Sequence, residues 1–484
     1  MVSPGVPVCL TVITVHDRGE AIVPRGVPVC LTAVIGHRAG SRREDGKDAL
    51  PGNSTPQEAG NSPKEGRPPS RLAIDTRPLR HPPYRRLFLG QAVANLGLQF
   101  TAVAVPVQMY ALTGSSLWVG LLGVAGLVPL VAFALWGGAV ADRMDRRVLL
   151  LVASLLMWSA TIVLFGLTVV GLVTPVLLLV LTAVQSMGFG VSAATRGAII
   201  PRLVPATELA AANALNSTAV NIAMTAGPLL AGLLVADARF AAAYAVDAAA
   251  FSLALWAAFR LPALPPIRSA ADQPEGAARP SRWRDIREGL AYIVATPVLW
   301  LSFVIDIAAM VLALPRALFP QVADERFGPG AIGILYAAIA IGSVAAGLTS
   351  GWVSRVRRQG LALVVAVVVW GLAVGAAGLA PVLWLTVLLL AVGGAADLIS
   401  AVYRQTILQT YAPDELQGRM QGVFYAVVAG GPRLGDLRAG AMAALVGPTV
   451  AWVGGGLAAA LVAVGLAFAF PALARYYPSP RLTR

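Results

Sequence analysis

Residues 117–171 read LWVGLLGVAGLVPLVAFALWGGAVADRMDRRVLLLVASLLMWSATIVLFGLTVVG. Two apolar runs, Leu117 to Ala141 and Val148 to Gly171, flank a turn that holds every charge of the stretch: Asp142, Arg143, Asp145, Arg146 and Arg147. Each run has the length of about 20 residues that one helix needs to cross a bilayer, and a turn that gathers arginine between two crossings marks the cytoplasmic side. From Leu87 to Pro471 the same unit recurs, which predicts about twelve spans. A composition that is 57% hydrophobic and 13% charged agrees with helices whose backbone polar groups are satisfied internally, and it excludes a soluble domain.

The arginines fall on alternate junctions. Arg85 and Arg86 precede the first span, Arg196 and Arg202 follow the fourth, Arg260 and Arg268 the sixth, and Arg355, Arg357 and Arg358 the eighth. Arg239 and Arg326 are the exceptions. Both termini are therefore expected in the cytoplasm. The net charge of +13 has its source in these loops beside an anionic leaflet, so no nucleic-acid partner is implied and membrane lipids are the expected neighbours.

Residues 1–80 differ. Leu50 to Arg80 is rich in Pro, Gly, Ser and charge without apolar periodicity, which predicts disorder. Upstream, Gly5-Val-Pro-Val-Cys-Leu-Thr11 recurs as Gly26-Val-Pro-Val-Cys-Leu-Thr32. Two copies are too few for a repeat fold, so the segment reads as an upstream artefact of a mis-assigned start, with a functional tail as the alternative. Cys9, Cys30 and the three histidines His16, His37 and His81 all precede the expected first span at Phe88. A zinc or thiolate-metal centre, a disulfide and histidine chemistry are thus excluded from the spans, and neither a metal nor a cofactor is expected.

Shifting the chain by 208 residues superimposes Arg196 on Arg404, Pro205 on Pro413, Gly227 on Gly435 and Gly232 on Gly440. Residues 84–260 and 291–475 are accordingly expected to be parallel-repeat six-helix bundles, joined by a Pro-rich cytoplasmic linker, 261–290, and followed by a tail, 476–484. Such halves enclose a site near the midplane.

The turn Gly138-Ala-Val-Ala-Asp142-Arg143-Met-Asp145-Arg146-Arg147 resembles the loop signature of the major facilitator superfamily, with Asp145 where that signature has Gly. Ala194-Thr-Arg196, Glu208-Leu-Ala-Ala-Ala-Asn213 and Pro315-Arg-Ala-Leu-Phe-Pro320 look like its enterobactin-exporter and macrolide-efflux branch. The resemblance implies an all-α membrane fold of twelve helices in a bacterial plasma membrane, acting as a monomer. It also implies that Gly138, Asp142, Arg143, Arg146 and Arg147 form a gating loop against the eleventh span. Gly227, Pro228 and Gly232 resemble the helix-packing motif of drug antiporters.

Ionisable residues inside spans are functional candidates by default. Asp306 lies about 12 Å into a span expected over Val298–Phe319. Asp397, Asp436 and Arg433 are further candidates for proton coupling or substrate binding, with an Arg433–Asp436 pair expected within one helix. Asp247 and Arg316 are expected nearer span ends, snorkelling. Asn95, Gln99 and Gln108 give the first span a polar stripe expected to line the cavity. No Walker loop is present and no nucleophile–base pair is visible, so an ATP-driven pump and an enzyme are both disfavoured. The expectation is a proton-coupled exporter of a siderophore or amphiphilic drug, with uptake, lipid flipping or a non-transporting receptor as alternatives.

Overall fold

The structure is a computed structural model and describes residues 75–141, 144–265, 291–411 and 417–474. Most of the linker, the terminal tail and residues 1–74 lie outside the described residues. Among the described residues, twelve long helices make up the fold. The first six are α1 (Pro82–Thr113), α2 (Ser116–Ala141), α3 (Arg146–Val170), α4 (Pro175–Leu203), α5 (Leu209–Val235) and α6 (Phe240–Phe259). The second six are α7 (Pro297–Ala313), α8 (Ile332–Leu348), α9 (Gln359–Leu379), α10 (Leu383–Tyr411), α11 (Gln417–Val446) and α12 (Pro448–Ala469). Local chemistry sets their ends. Pro82, Pro175, Pro297 and Pro448 open helices, where the missing N–H costs nothing. Gly114 and Gly171 close α1 and α3 in the left-handed conformation that glycine adopts freely.

Eleven of the described segments are long and apolar enough to cross a membrane. The exception, α11, is as long as its neighbours but carries Arg433, Asp436 and Arg438 along its length. Large apolar side chains such as Leu348, Phe468, Leu445 and Leu233 are more than two-thirds exposed, as a lipid-facing surface requires.

Packing repeats with the sequence. In the first half α1 packs on α5 and α6, α2 on α4, and α3 on α4 and α6; the same pairs recur six helices later as α7 on α11 and α12, α8 on α10, and α9 on α10 and α12. The halves meet through α2 against α11 and α5 against α8. Glycine makes these approaches close. A Cβ on Gly120 or Gly123 would lie 2.5 Å from the carbonyl oxygen of Asp436 or Arg433, and Gly232 rests on Gly333 backbone to backbone. Gly440 likewise rests on the Ser116 carbonyl, and Ser116 donates to Gln321 Oε1 at 2.6 Å. All these contacts lie towards the arginine-poor end of the bundle.

Two expectations change. The seventh span is not one straight helix over Val298–Phe319: α7 stops at Ala313, Leu314 is extended, and a 3₁₀ turn Arg316–Leu318 leads into a short helix, Phe319–Val322. Pro315 forces the break, since it lacks an N–H and disfavours helix at the residue before it. The N-terminal extension also ends earlier than residue 80. Arg77–Arg80 form a 3₁₀ turn, and Arg77 grips Asp75 and holds its carboxyl below the usual range. His81 meets Glu208 at 3.1 Å.

Candidate functional site

A cavity of about 470 Å³ lies between the halves. Gln99 of α1, Asn221 and Pro228 of α5, Asp306 of α7, and Asp397 and Arg404 of α10 line it. Arg404 is almost fully buried and forms an ion pair with Asp306, itself 2% exposed; Asp397 Oδ1 stands 3.8 Å from the same guanidinium. Asp397 and Arg404 are seven residues apart, two helical turns, so both point to one side of α10. Two carboxylates thus share one guanidinium in a setting where unpaired charge is strongly disfavoured. The triad carries one positive and two negative charges when fully ionised, so a neutral site holds one proton.

The repeat-mate of Arg404 has taken another course. Arg196 of α4 donates to Gln91 of α1 at 2.9 Å and to Ser192 at 2.7 Å. Each arginine therefore reaches from the fourth helix of its half to the first, and meets a neutral amide in one half and an acid in the other.

A second cavity of about 320 Å³ adjoins the first towards the α2–α11 contact, sharing Ala102, Arg316, Tyr336, Val428 and Pro432 with it. Arg433 and Asp436 line this second cavity. Their expected ion pair is not formed. Arg433 donates to the Ala429 carbonyl one turn back at 3.0 Å, whereas Asp436 lines the cavity in the field of both Arg316 and Arg433. Arg438 turns away and donates to the carbonyls of Leu312 and Ala451. Arg316 does not snorkel: the break before it aims its side chain into the cavity, with the guanidinium 5.7 Å from the centre of the Tyr336 ring.

Asp247 does not snorkel either. It is 1% exposed in α6 and accepts from Thr101 at 2.6 Å and Thr161 at 3.3 Å; Gln185 in turn donates to Thr161 at 2.9 Å. Thr101 and Gln185 line a third cavity, of about 250 Å³, which reaches Arg433. The expected polar stripe of α1 splits. Gln99 faces the central cavity, Asn95 is half-buried outside the three cavities, and Gln108 is buried, holding the Tyr244 hydroxyl at 2.7 Å and facing Thr168 at 3.5 Å. Nine residues separate Gln99 from Gln108, two and a half turns, which puts them on opposite faces.

Gly227 packs on the Gln99 side chain, Gly232 on Gly333, and Pro228 lines the central cavity. Of the loop signature, Asp142 and Arg143 lie outside the described residues, and Gly138 lies near the end of α2. Asp145 caps α3 by accepting the Arg147 N–H at 2.8 Å and takes the Leu264 N–H at 3.1 Å. Arg147 donates to the Phe259 carbonyl at 2.6 Å, complementing the C-terminal end of α6. Arg146 accompanies it through its backbone, which donates to the Leu264 carbonyl at 3.2 Å. Asp145, Arg147 and the Arg146 backbone thus bind α3 to the end of α6 and the residues after it.

Sequence patterns had flagged the acids of the site. Arg404 stood out only as the repeat-mate of Arg196, and Tyr336 carried no signal, because an apolar run does not reveal which of its aromatics faces inward.

Residues 74–479 match the family described as Transmembrane secretion effector, within the major facilitator superfamily. The chain is 29% identical over 408 residues to the enterobactin exporter EntS of Shigella boydii, covering 83% of this chain and 94% of that one, and shows the same identity and coverage with EntS of Escherichia coli. Among solved structures, the nucleoside transporter NupG shares the fold with a TM-score of 0.65 at 16% identity, over 82% of this chain and all of that one. A bacterial homologue of the human lysosomal transporter Spinster does so with a TM-score of 0.59 at 16% identity, over 84% of this chain and all of that one. The chain belongs to the transmembrane secretion effector family of the major facilitator superfamily: it is a multi-pass membrane protein and a secondary transporter of small molecules, not an enzyme.

Proposed function

We propose that this transporter exports a siderophore from a bacterial cytoplasm by alternating access, driven by inward proton flow, as a monomer with both termini inside. The observation that carries the reading is the cavity between the halves, which holds the Asp306–Arg404–Asp397 triad and is sealed at the arginine-poor end by α2 on α11 and α5 on α8. With the arginine-rich loops in the cytoplasm, that seal faces outward and the conformation is closed to the exterior. Release of Arg404 from Asp306 would leave a carboxylate that must regain a cation or take a proton, which couples protonation to rearrangement of the halves. The likeness to enterobactin exporters supports the substrate class.

Proteoliposomes that hold the purified protein and are loaded with a catecholate siderophore test the reading. Efflux against a siderophore gradient is expected when a proton gradient is imposed and is expected to stop when a protonophore collapses it. Uphill efflux that persists without the gradient would reject proton coupling, and absence of efflux under every gradient would reject siderophore export.

One observation favours a second reading, the transfer of a lipid-like amphiphile. A mainly apolar cleft of about 560 Å³ beside α5, α8 and α10 shares Asn221, Ser343, Val344 and Leu398 with the central cavity, so a substrate could arrive from the bilayer. Faster movement of a fluorescent lysolipid than of the siderophore in the same vesicles would select it.

A further inference from the structure

The second cavity contains groups that the fold leaves incomplete. Arg316 is half-buried, and its guanidinium lies over the Tyr336 ring without a hydrogen bond or ion pair to any described residue. A guanidinium carries five N–H donors in a planar fork suited to an oxyanion. Arg433 gives one N–H to the Ala429 carbonyl. Asp436 lines the same cavity, and its Oδ1 is shielded from solvent and lacks a hydrogen-bond partner. Buried polar atoms without partners are rare, and each calls for a cause.

The charge sum and the orphan atoms describe the missing group. Two arginines and one aspartate leave one positive charge, which a single anion balances. Oδ1 accepts only, so the group must also bring a donor, such as a hydroxyl. The remaining wall, with Pro106, Val119 and Leu122 beside Tyr336, is apolar and suits a flat ring. The volume of about 320 Å³, bordered at Arg433 by the third cavity, falls in the range of small-molecule sites.

We propose that Arg316, Arg433 and Asp436, beside Tyr336, form a subsite for a singly charged aromatic oxyanion bearing a neighbouring hydroxyl. The arginines take the oxyanion, Asp436 Oδ1 takes the hydroxyl proton in a hydrogen bond, and the ring lies on the apolar wall. The inference rests on the reading of these cavities as the substrate path, and it assigns the anion to this subsite, apart from the Asp306–Arg404–Asp397 triad.

Four probes built on one ring separate the contributions: 2,3-dihydroxybenzoate, benzoate, catechol and dopamine. Binding to the full chain in lipid nanodiscs is measured by isothermal titration. Dihydroxybenzoate is expected to bind about 10-fold or more tightly than catechol or dopamine, because hydrogen bonds to a charged group carry that much selectivity. Arg316→Gln and Arg433→Gln are each expected to weaken it by about 10-fold. Asp436→Ala should strengthen benzoate and erase the advantage of the hydroxylated ring. If a variant does not fold, the wild-type ranking of the four probes still decides. Dopamine binding as tightly as dihydroxybenzoate, an unchanged affinity in folded Arg316→Gln, or no binding of dihydroxybenzoate up to about 10 mM, a millimolar ceiling for weak ligands, would overturn the subsite. Anion-selective binding without siderophore efflux would overturn the export reading and keep the subsite; efflux without anion-selective binding would do the reverse.

Discussion

Arg404 meets Asp306 directly and stands 3.8 Å from Asp397, and its burial makes the choice of partner consequential. Removing one member of a buried ion pair leaves the other charge uncompensated. Asp306→Asn and Arg404→Gln are therefore each expected to lower the thermal unfolding temperature in detergent and to abolish uphill efflux. In a double-mutant cycle the two should couple by about 1–3 kcal/mol, as contacting charges do; additive effects would mean that the pair does not form. Asp397→Asn should cost less stability, because that carboxylate is farther away and its side chain is 30% exposed. Asp145 offers a separate test. As the N-cap of α3 and an acceptor for Leu264, its replacement by Ala should lower stability by about 1 kcal/mol, with little change in substrate binding measured on the same preparation.

At the scale of elements, the α2–α11 and α5–α8 contacts should part and reform if the halves rock. Ser116 and Gln321 bridge the halves at the arginine-poor end. The described spans contain no cysteine, so a Ser116→Cys/Gln321→Cys pair can be introduced into a chain lacking Cys9 and Cys30 without further background. A short bis-thiosulfonate linker across that pair is expected to stop efflux, and reductant to restore it; efflux unaffected by full cross-linking would show that this seal need not open. Gly120→Val supplies the converse. Its side chain would be driven into the Asp436 carbonyl, 2.5 Å from the added Cβ, so the arginine-poor end should spend less time closed. Spin-label distances across α2 and α11 that do not lengthen would refute this.

For the whole molecule, the family match begins at residue 74. Deletion of residues 1–74 is expected to leave insertion and efflux intact at equal expression. Deletion through His81 should impair both, since it removes the Arg77–Arg80 turn and the His81–Glu208 contact. The duplicated packing scheme places both halves under the same rules; they diverge in side chains such as Gln91 against Asp306 and in the break that ends α7 at Ala313 while α1 runs on to Thr113.

By itself the sequence determined the all-helical fold, the helix positions apart from the broken seventh span, and the family. A crossing is decided by the transfer of one local segment of about 20 residues into hydrocarbon, so neighbouring residues suffice to read it, and the Gly138–Arg147 turn is likewise local. It also flagged Asp306, Asp397 and Asp436 as costly intramembrane charges. Which of these meet was left to the tertiary structure. Arg404 reaches Asp306 because α7 and α10 belong to the same half and face one cavity, while Arg433 turns to its own helix instead of pairing with Asp436. Gln108 faces away from Gln99, Asp247 finds two threonines, and the break at Leu314–Pro315 aims Arg316 inward. These outcomes depend on how helices are rotated and spaced against one another, and that is set by close packing between segments distant in the chain, which no local pattern of hydropathy encodes.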